Sequence, residues 1–320
     1  MFLCPKCKNV IELPACSCGY TVRQQNMVWQ LSDMPDIVVD GGGDKYIGYE
    51  YIGENYSGGR KFLIEERDAL FAKEVSQITG DGILLDLACG DGCLTVPCAA
   101  NGTKIIAGDI SNSMLSILQK KAIHNGISLE KVTICRMNAL DIPMEEESAG
   151  TVVADSMLHL VSNPQKVIKE IYRVLRKGGS FLCRDDRPGK GRNSTFDNAE
   201  YNQIVNELYL EYWKRLKLHN ISPTKYSWKF DREEFCSNLF AVKTERVIER
   251  GNFYEIALKD GFLPRFCSRG FSDQVDVPQD LHDEVIGELL AEFKSKFGEN
   301  FADICYKGIE DDLVITIYTK

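Results

Sequence analysis

Between residues 83 and 186, short apolar runs and amphipathic stretches alternate with a regularity that a layered α/β architecture accommodates. Strands are expected at Ile83–Leu87, Lys104–Gly108, Val132–Arg136, Thr151–Ala154 and Ser180–Arg184. Helices fall between them, over about 93–100 and over Ser111–His124, the latter closed by Asn125-Gly126. A further helix starts at Asn163, which can cap it, with Pro164 in its first turn. Val167, Ile168, Ile171, Val174 and Leu175 form one apolar stripe, and Arg176-Lys177 is expected at the negative end of the dipole before Gly178-Gly179 stops the helix. Such alternation implies right-handed crossovers and a parallel sheet with helices on both faces.

The flanks are less regular. A helix is expected over about 61–78, and a long aromatic-rich one over 198–219 inside an insertion spanning 187–250. A helix near 252–260 ending at Gly261, a strand near 263–269, a helix over 279–297 and a last strand Leu313–Thr319 complete the chain. The run Asp40-Gly-Gly-Gly-Asp44 looks like a joint, so residues 1–40 are set apart from a main domain over 41–320.

Composition narrows the partners. The 320 residues are 44% hydrophobic, enough for a substantial core, and 38 basic against 47 acidic residues give a net charge of -9. That is the wrong sign for gripping phosphate backbones over a wide surface. No apolar run approaches the roughly 18–20 residues that cross a bilayer, and Met1–Val10 lacks a leader-like stretch, so a cytoplasmic, membrane-free protein is expected.

Of 12 cysteines, four cluster at the N-terminus as Cys4-Pro-Lys-Cys7 and Cys16-Ser-Cys18. Two tight turns donating thiolates predict a zinc-ribbon-like segment with Cys4, Cys7, Cys16 and Cys18 as ligands of a structural zinc. The single residue between Cys16 and Cys18, where two are usual, keeps reduced, unliganded thiols as the alternative.

Function is most legible in Ile83-Leu-Leu-Asp86-Leu-Ala88-Cys-Gly90-Asp-Gly92-Cys93, where a strand delivers Asp86 into a turn of small residues. Small residues let backbone approach a ligand, and the next helix offers unpaired N–H groups. The carboxylate ahead of the turn, and Thr95 where a dinucleotide fingerprint wants glycine, argue against a pyrophosphate site.

Asp86-x-Ala88-x-Gly90-x-Gly92 resembles the first motif of class I S-adenosylmethionine-dependent methyltransferases, in which glycine is commoner at the Ala88 position. Ile105-Ile-Ala-Gly-Asp109-Ile110-Ser111 is similar to the second-strand motif, whose acid binds the ribose hydroxyls. Arg136-Met-Asn138-Ala139 is similar to the adenine-binding turn, with Asn138 standing where an acid is usual. Ala154-Asp-Ser156-Met-Leu-His159 and the helix ending at Gly179 look like the fourth-strand region of the type 11 branch. The resemblance covers about 83–186 and implies a Rossmann-like sheet that binds S-adenosyl-L-methionine. It assigns cofactor binding to Asp86, Ala88, Gly90, Gly92, Asp109, Ile110, Asn138, Ala139 and Ser156.

His159 is a candidate general base or a packed residue before Asn163. Tyr56 is a second candidate catalytic residue; with Tyr46, Tyr49 and Tyr51 it could fold over the cofactor as a lid, with ordinary packing as the alternative. Cys89 and Cys93 read as packing residues rather than nucleophiles. Phe196, Tyr201, Tyr209, Tyr212, Trp213 and Trp228 are expected to roof a small, partly apolar methyl acceptor.

Two alternatives remain open. An N-terminal zinc element ahead of such a domain resembles ribosomal-RNA guanine methyltransferases, with Lys214-Arg215-x-Lys217 as an RNA contact or a solvated helix face. The other is a non-catalytic S-adenosylmethionine-binding protein.

Overall fold

The computed structural model describes residues 2–32, 64–187, 199–223, 230–250, 252–271, 273–274 and 277–320. In chain order, β1 (Phe2–Leu3), β2 (Val10–Ile11), β3 (Gln24–Gln25) and β4 (Val28–Gln30) come first. The helix α1 (Glu66–Thr79) leads into β5 (Ile83–Leu87), α2 (Thr95–Ala100), β6 (Lys104–Asp109), α3 (Asn112–His124) and β7 (Val132–Arg136). Next are β8 (Ala149–Val153), α4 (Pro164–Val174) and β9 (Leu175–Arg187). The remainder holds α5 (Ala199–Leu218), α6 (Arg232–Leu239), β10 (Val242–Ile248), β11 (Phe253–Ala257), α7 (Phe262–Cys267), α8 (Gln279–Phe297), β12 (Cys305–Ile309) and β13 (Asp312–Thr319).

Period-two alternation along the strands builds the layers. In β5, Leu85 and Leu87 join one buried cluster with α4 residues Val167, Ile168, Ile171 and Val174. Leu84, pointing the other way, joins Phe71, Ala72 and Val75 of α1 and Leu115 and Leu118 of α3. Both faces of the sheet are therefore covered, as the apolar strands require. The nine strands run in the order β10-β13-β9-β8-β5-β6-β7-β4-β3. β9, β8, β5, β6, β7 and β4 are mutually parallel, while β13 is antiparallel to both β9 and β10, and β3 to β4. From β5 the chain steps outward to β6 and β7, then returns to β8 on the opposite side of β5. The reversal opens a crevice at the carboxyl end of β5, where open α/β sheets bind ligands.

Several expectations need correction. α4 begins where Asn163 accepts Lys166 N–H, but it ends at Val174, and Leu175 is already extended. Arg176-Lys177 therefore lies in β9, which starts earlier because Leu175 pairs with Ala149. Residues 252–260 are mainly strand rather than helix, since Phe253–Ala257 pairs with β12 some 50 residues on. The expected strand near 263–269 is mostly helix: Gly261 stands at the N-cap of α7, and Phe262 stacks on Phe266 one turn later. Within the expected 187–250 insertion, β10 is an edge strand of the main sheet. The joint at 36–44 lies outside the described residues.

A third cluster packs Ile204, Leu208, Tyr212 and Leu216 of α5 against Val285, Leu289 and Phe293 of α8 and Phe266 of α7. Among the described residues no helix is long and apolar enough to cross a membrane.

Gly92 fixes how the turn after β5 meets α3. Its φ is +82°, and a methyl group there would lie 2.7 Å from Leu118 Cγ and 3.1 Å from Val96 Cγ2. Strain and overpacking act together, so Gly92→Ala is expected to destabilise the protein by roughly 2–4 kcal/mol. Chemical denaturation checks this as a lower midpoint at unchanged slope.

Candidate functional site

β5 and β6 end side by side, each carrying a carboxylate into the crevice. Asp109 is held by two backbone donors, with Gly90 N donating to Oδ2 and Ser111 N to Oδ1, both at 2.9 Å. Ser111 in turn caps α3 by accepting Met114 N–H at 3.2 Å. Asp86, 2% exposed, accepts the Thr95 hydroxyl at 2.5 Å. Thr95 occupies the first turn of α2, so the residue that departs from a dinucleotide fingerprint is the partner of the strand carboxylate.

A cavity of about 240 Å3 follows this edge. Its walls include Asp86, Ala88, Gly90, Asp109, Ile110, Asn138, Ala139 and Ser156. Those eight residues, chosen on the resemblance, are brought together from four βα turns. Gly92 is not on the wall; it serves the packing described above. Asn138 uses its side-chain oxygen to accept Leu140 N–H at 2.9 Å, which fixes the amide on the cavity wall. Ala88 (φ +58°) and Ser156 (φ +54°) both sit in the left-handed region.

The structure adds wall residues that the motifs did not single out. Arg184 of β9 lines the cavity and forms ion pairs with Asp155, also on the wall, and with Asp68 of α1. Its guanidinium lies over the Phe71 ring at 5.1 Å, and its buried Nε has no hydrogen-bond partner among the described residues. The signal was present in the sequence as a charge ending an apolar strand. Asp91 and Cys93 also line the cavity, and both meet Lys121, whose side chain is 2% exposed. Lys121 Nζ lies 3.4 Å from Asp91 Oδ2 and 3.3 Å from Cys93 Sγ, while the Cys93 thiol donates to Asp91 Oδ1 at 3.1 Å. Burial, then the Asp91 charge, pushes the Cys93 thiol well up, which makes it a neutral donor rather than a nucleophile.

Asp86 is the unusual acid. Burial raises its pKa to about 7; the Thr95 hydrogen bond opposes the shift, Asp155 and Asp109 add to it, and Arg184 opposes it.

His159 does not line this cavity. It sits in a neighbouring cleft of about 650 Å3 with Leu158, Phe230, Asp231, Glu234 and Phe235, and Val161 is a wall of both spaces. Burial lowers its pKa, so the imidazole is neutral at neutral pH. Tyr56, with Tyr46, Tyr49 and Tyr51, lies outside the described residues, as do Phe196 and Trp228. Tyr201, Tyr212 and Trp213 are buried in the α5–α7–α8 cluster, with Tyr209 packed against it, and none of the four lines the cavity. Tyr212 is fixed by a 2.7 Å hydrogen bond between its hydroxyl and His282 Nδ1. These rings are core, not roof. Two of the three basic residues of α5 are paired, Lys214 with Glu211 and Arg215 with Glu288 and Glu292.

The N-terminal cysteines do converge. All four Sγ atoms lie within 4.8 Å of one another, with Cys4 to Cys18 at 3.8 Å and Cys7 to Cys16 at 3.5 Å. Thiolates at about 2.3 Å from one tetrahedral ion stand about 3.8 Å apart, so the donor set fits zinc.

Residues 85–183 match the family model described as a methyltransferase domain. The match runs from β5 into β9 and spans the cavity wall from Asp86 to Ser156. The chain is similar to a demethylmenaquinone methyltransferase of Symbiobacterium thermophilum, 30% identical over 173 residues, covering 52% of this chain and 64% of that one. It is also 30% identical over 124 residues to a sterol 4-C-methyltransferase of Caenorhabditis elegans, covering 37% of each. The chain thus spans less than two thirds of the length of these curated relatives. A solved Bacillus halodurans protein, provisionally named a methyltransferase, is 18% identical, covering 79% of this chain and 98% of that one with a TM-score of 0.46.

Because the folded pKa of Asp86 lies above its ordinary 3.8, the protonated form suits the fold. Its contribution to stability is present below about pH 4 and is lost as pH rises towards 7. Asp86→Asn, neutral at all pH, is expected to melt higher than the wild type at pH 8, with the gap closing towards pH 5. Thermal unfolding of both proteins across that range measures it.

Proposed function

We propose that this chain is an S-adenosyl-L-methionine-dependent methyltransferase acting on a small-molecule acceptor, with a structural zinc at Cys4, Cys7, Cys16 and Cys18. The carrying observation is the fixed Asp109 carboxylate at the strand-order reversal, inside a cavity that also presents Asp86 and Asp155. Against Arg184, already paired twice, that surplus of acid suits a cationic ligand. Relatives named for demethylmenaquinone and for a sterol support a small acceptor.

When bound, S-adenosylmethionine supplies a methyl group on a sulfonium, open to in-line displacement. The chain's own residues orient and exclude water. Asp109 receives the ribose hydroxyls, and the Asn138-Ala139 turn meets the adenine. The strained Ser156 backbone and Asp155 face the same space. The acceptor enters from the adjoining cleft, which shares Val161 with the cofactor cavity, and neutral His159 in that cleft takes its proton. The charge pairing along α5, together with the acidic net charge, favours a small acceptor over RNA.

Titration calorimetry with S-adenosylhomocysteine tests the cofactor assignment. Losing two charge-assisted hydrogen bonds, Asp109→Ala is expected to bind about 100-fold more weakly. Unchanged affinity would refute the assignment. Metal analysis of freshly purified protein is expected to find one zinc per chain, and a zinc-free, fully folded sample would remove the metal site.

A further inference from the structure

The cavity wall formed by Met137, Asn138, Ala139 and Leu140 is anchored at both ends to the cysteine-bearing segment. On one side β4 lies along β7, with Trp29 opposite Cys135 and Gln30 opposite Arg136, and Leu31 N donates to the Arg136 carbonyl at 3.0 Å. On the other, Leu3 N donates to the Pro143 carbonyl at 2.9 Å and Phe2 bridges to Met144. Lys8, in the first cysteine turn, reaches Asp141 at 2.7 Å. Behind the wall, Phe2, Cys4, Ile11, Cys16, Val22 and Leu31 share one buried cluster with Met137, Ile142 and Met144.

The segment doing this anchoring has little regular secondary structure of its own. β1 and β2 are two residues each, and the four thiols bring the turn at 4–7 against the turn at 16–18. Cys4 immediately follows Leu3, whose N–H holds Pro143. Ordering the thiols therefore orders one end of the wall, and through residues 19–31 the other. We propose that the four-cysteine element is a metal-linked brace of the cofactor cavity, so that zinc binding tightens nucleoside binding through residues 137–142. This rests on both the zinc and the cofactor readings above. The coupling is reciprocal by thermodynamic necessity: whatever factor zinc adds to nucleoside affinity, the nucleoside adds to zinc affinity.

The test uses the full chain in zinc-loaded and chelator-stripped forms, titrated with S-adenosylhomocysteine. The stripped form is expected to bind about tenfold more weakly, within the usual range of such couplings. Saturating S-adenosylhomocysteine is expected to make zinc about tenfold harder to extract by a competing chelator. Equal nucleoside affinity in both forms overturns the brace while leaving both parent readings standing. Failure to take up zinc, or failure of the loaded form to bind S-adenosylhomocysteine, overturns the corresponding parent reading and the brace with it. Because stripping can also unfold the segment, Leu3→Pro provides a second arm: it keeps all four thiols and removes the N–H that Pro143 accepts. It is expected to hold one zinc, to bind S-adenosylhomocysteine more weakly, and to show a smaller reciprocal response. Wild-type affinity with an intact response in Leu3→Pro counts against the brace.

Discussion

The two backbone N–H groups that close on the Asp109 carboxylate are the tie on which the site depends. One comes from the glycine turn after β5 and the other from the cap of α3, so a single side chain locks two βα turns to each other. The parallel sheet makes this possible. Its register sets Leu87 against Gly108, bringing the ends of β5 and β6 level, and Cys89 N adds a bond to the Gly108 carbonyl at 3.0 Å. A carboxylate fixed in this way is already oriented at the crevice and need not reorganise when a ligand arrives.

The tie gathers charge, and the neighbouring residues manage it. Arg184 divides its guanidinium between Asp155 and Asp68, and Lys121 sits under Asp91 and Cys93. Breaking either arrangement from one side would leave a buried charge without its counterpart, the costly way to disturb an ion pair. Among the described residues the Asp86 carboxylate has Thr95 as its one hydrogen-bond partner, and burial gives it its raised pKa. A cationic ligand would draw that pKa back down, so ligand binding and ionisation of Asp86 would favour each other.

Local pattern made the α/β core readable because there the periodicity and the tertiary partners agree. Ile83–Leu87 and Val132–Arg136 fall on their strands residue for residue, and Asn163-Pro164 starts α4. The errors cluster where a distant partner decides. Phe253–Ala257 becomes a strand because Cys305–Ile309 lies beside it, and the aromatic face of α5 turns inward because α8 covers it. The cavity wall was legible through motif spacing. Arg184, Asp68 and Lys121 were not, since each acts across more than 25 residues of sequence on a partner that only the packed layers bring near.

Backbone strain shows where the fold gives up local stability for an open site. Ala88 and Ser156 take left-handed conformations that cost side-chain-bearing residues about 1–2 kcal/mol each. They follow β5 and β8, the two strands on either side of the order reversal, and both line the cavity. Glycine at position 88 would relieve the strain, but it would also take a methyl group off the cavity wall and free the turn in the unfolded chain. The bend at these two positions turns the chain away from the sheet edge before the next helix begins. The strand ends are thereby left facing the crevice, and the fixed carboxylates can meet a ligand there.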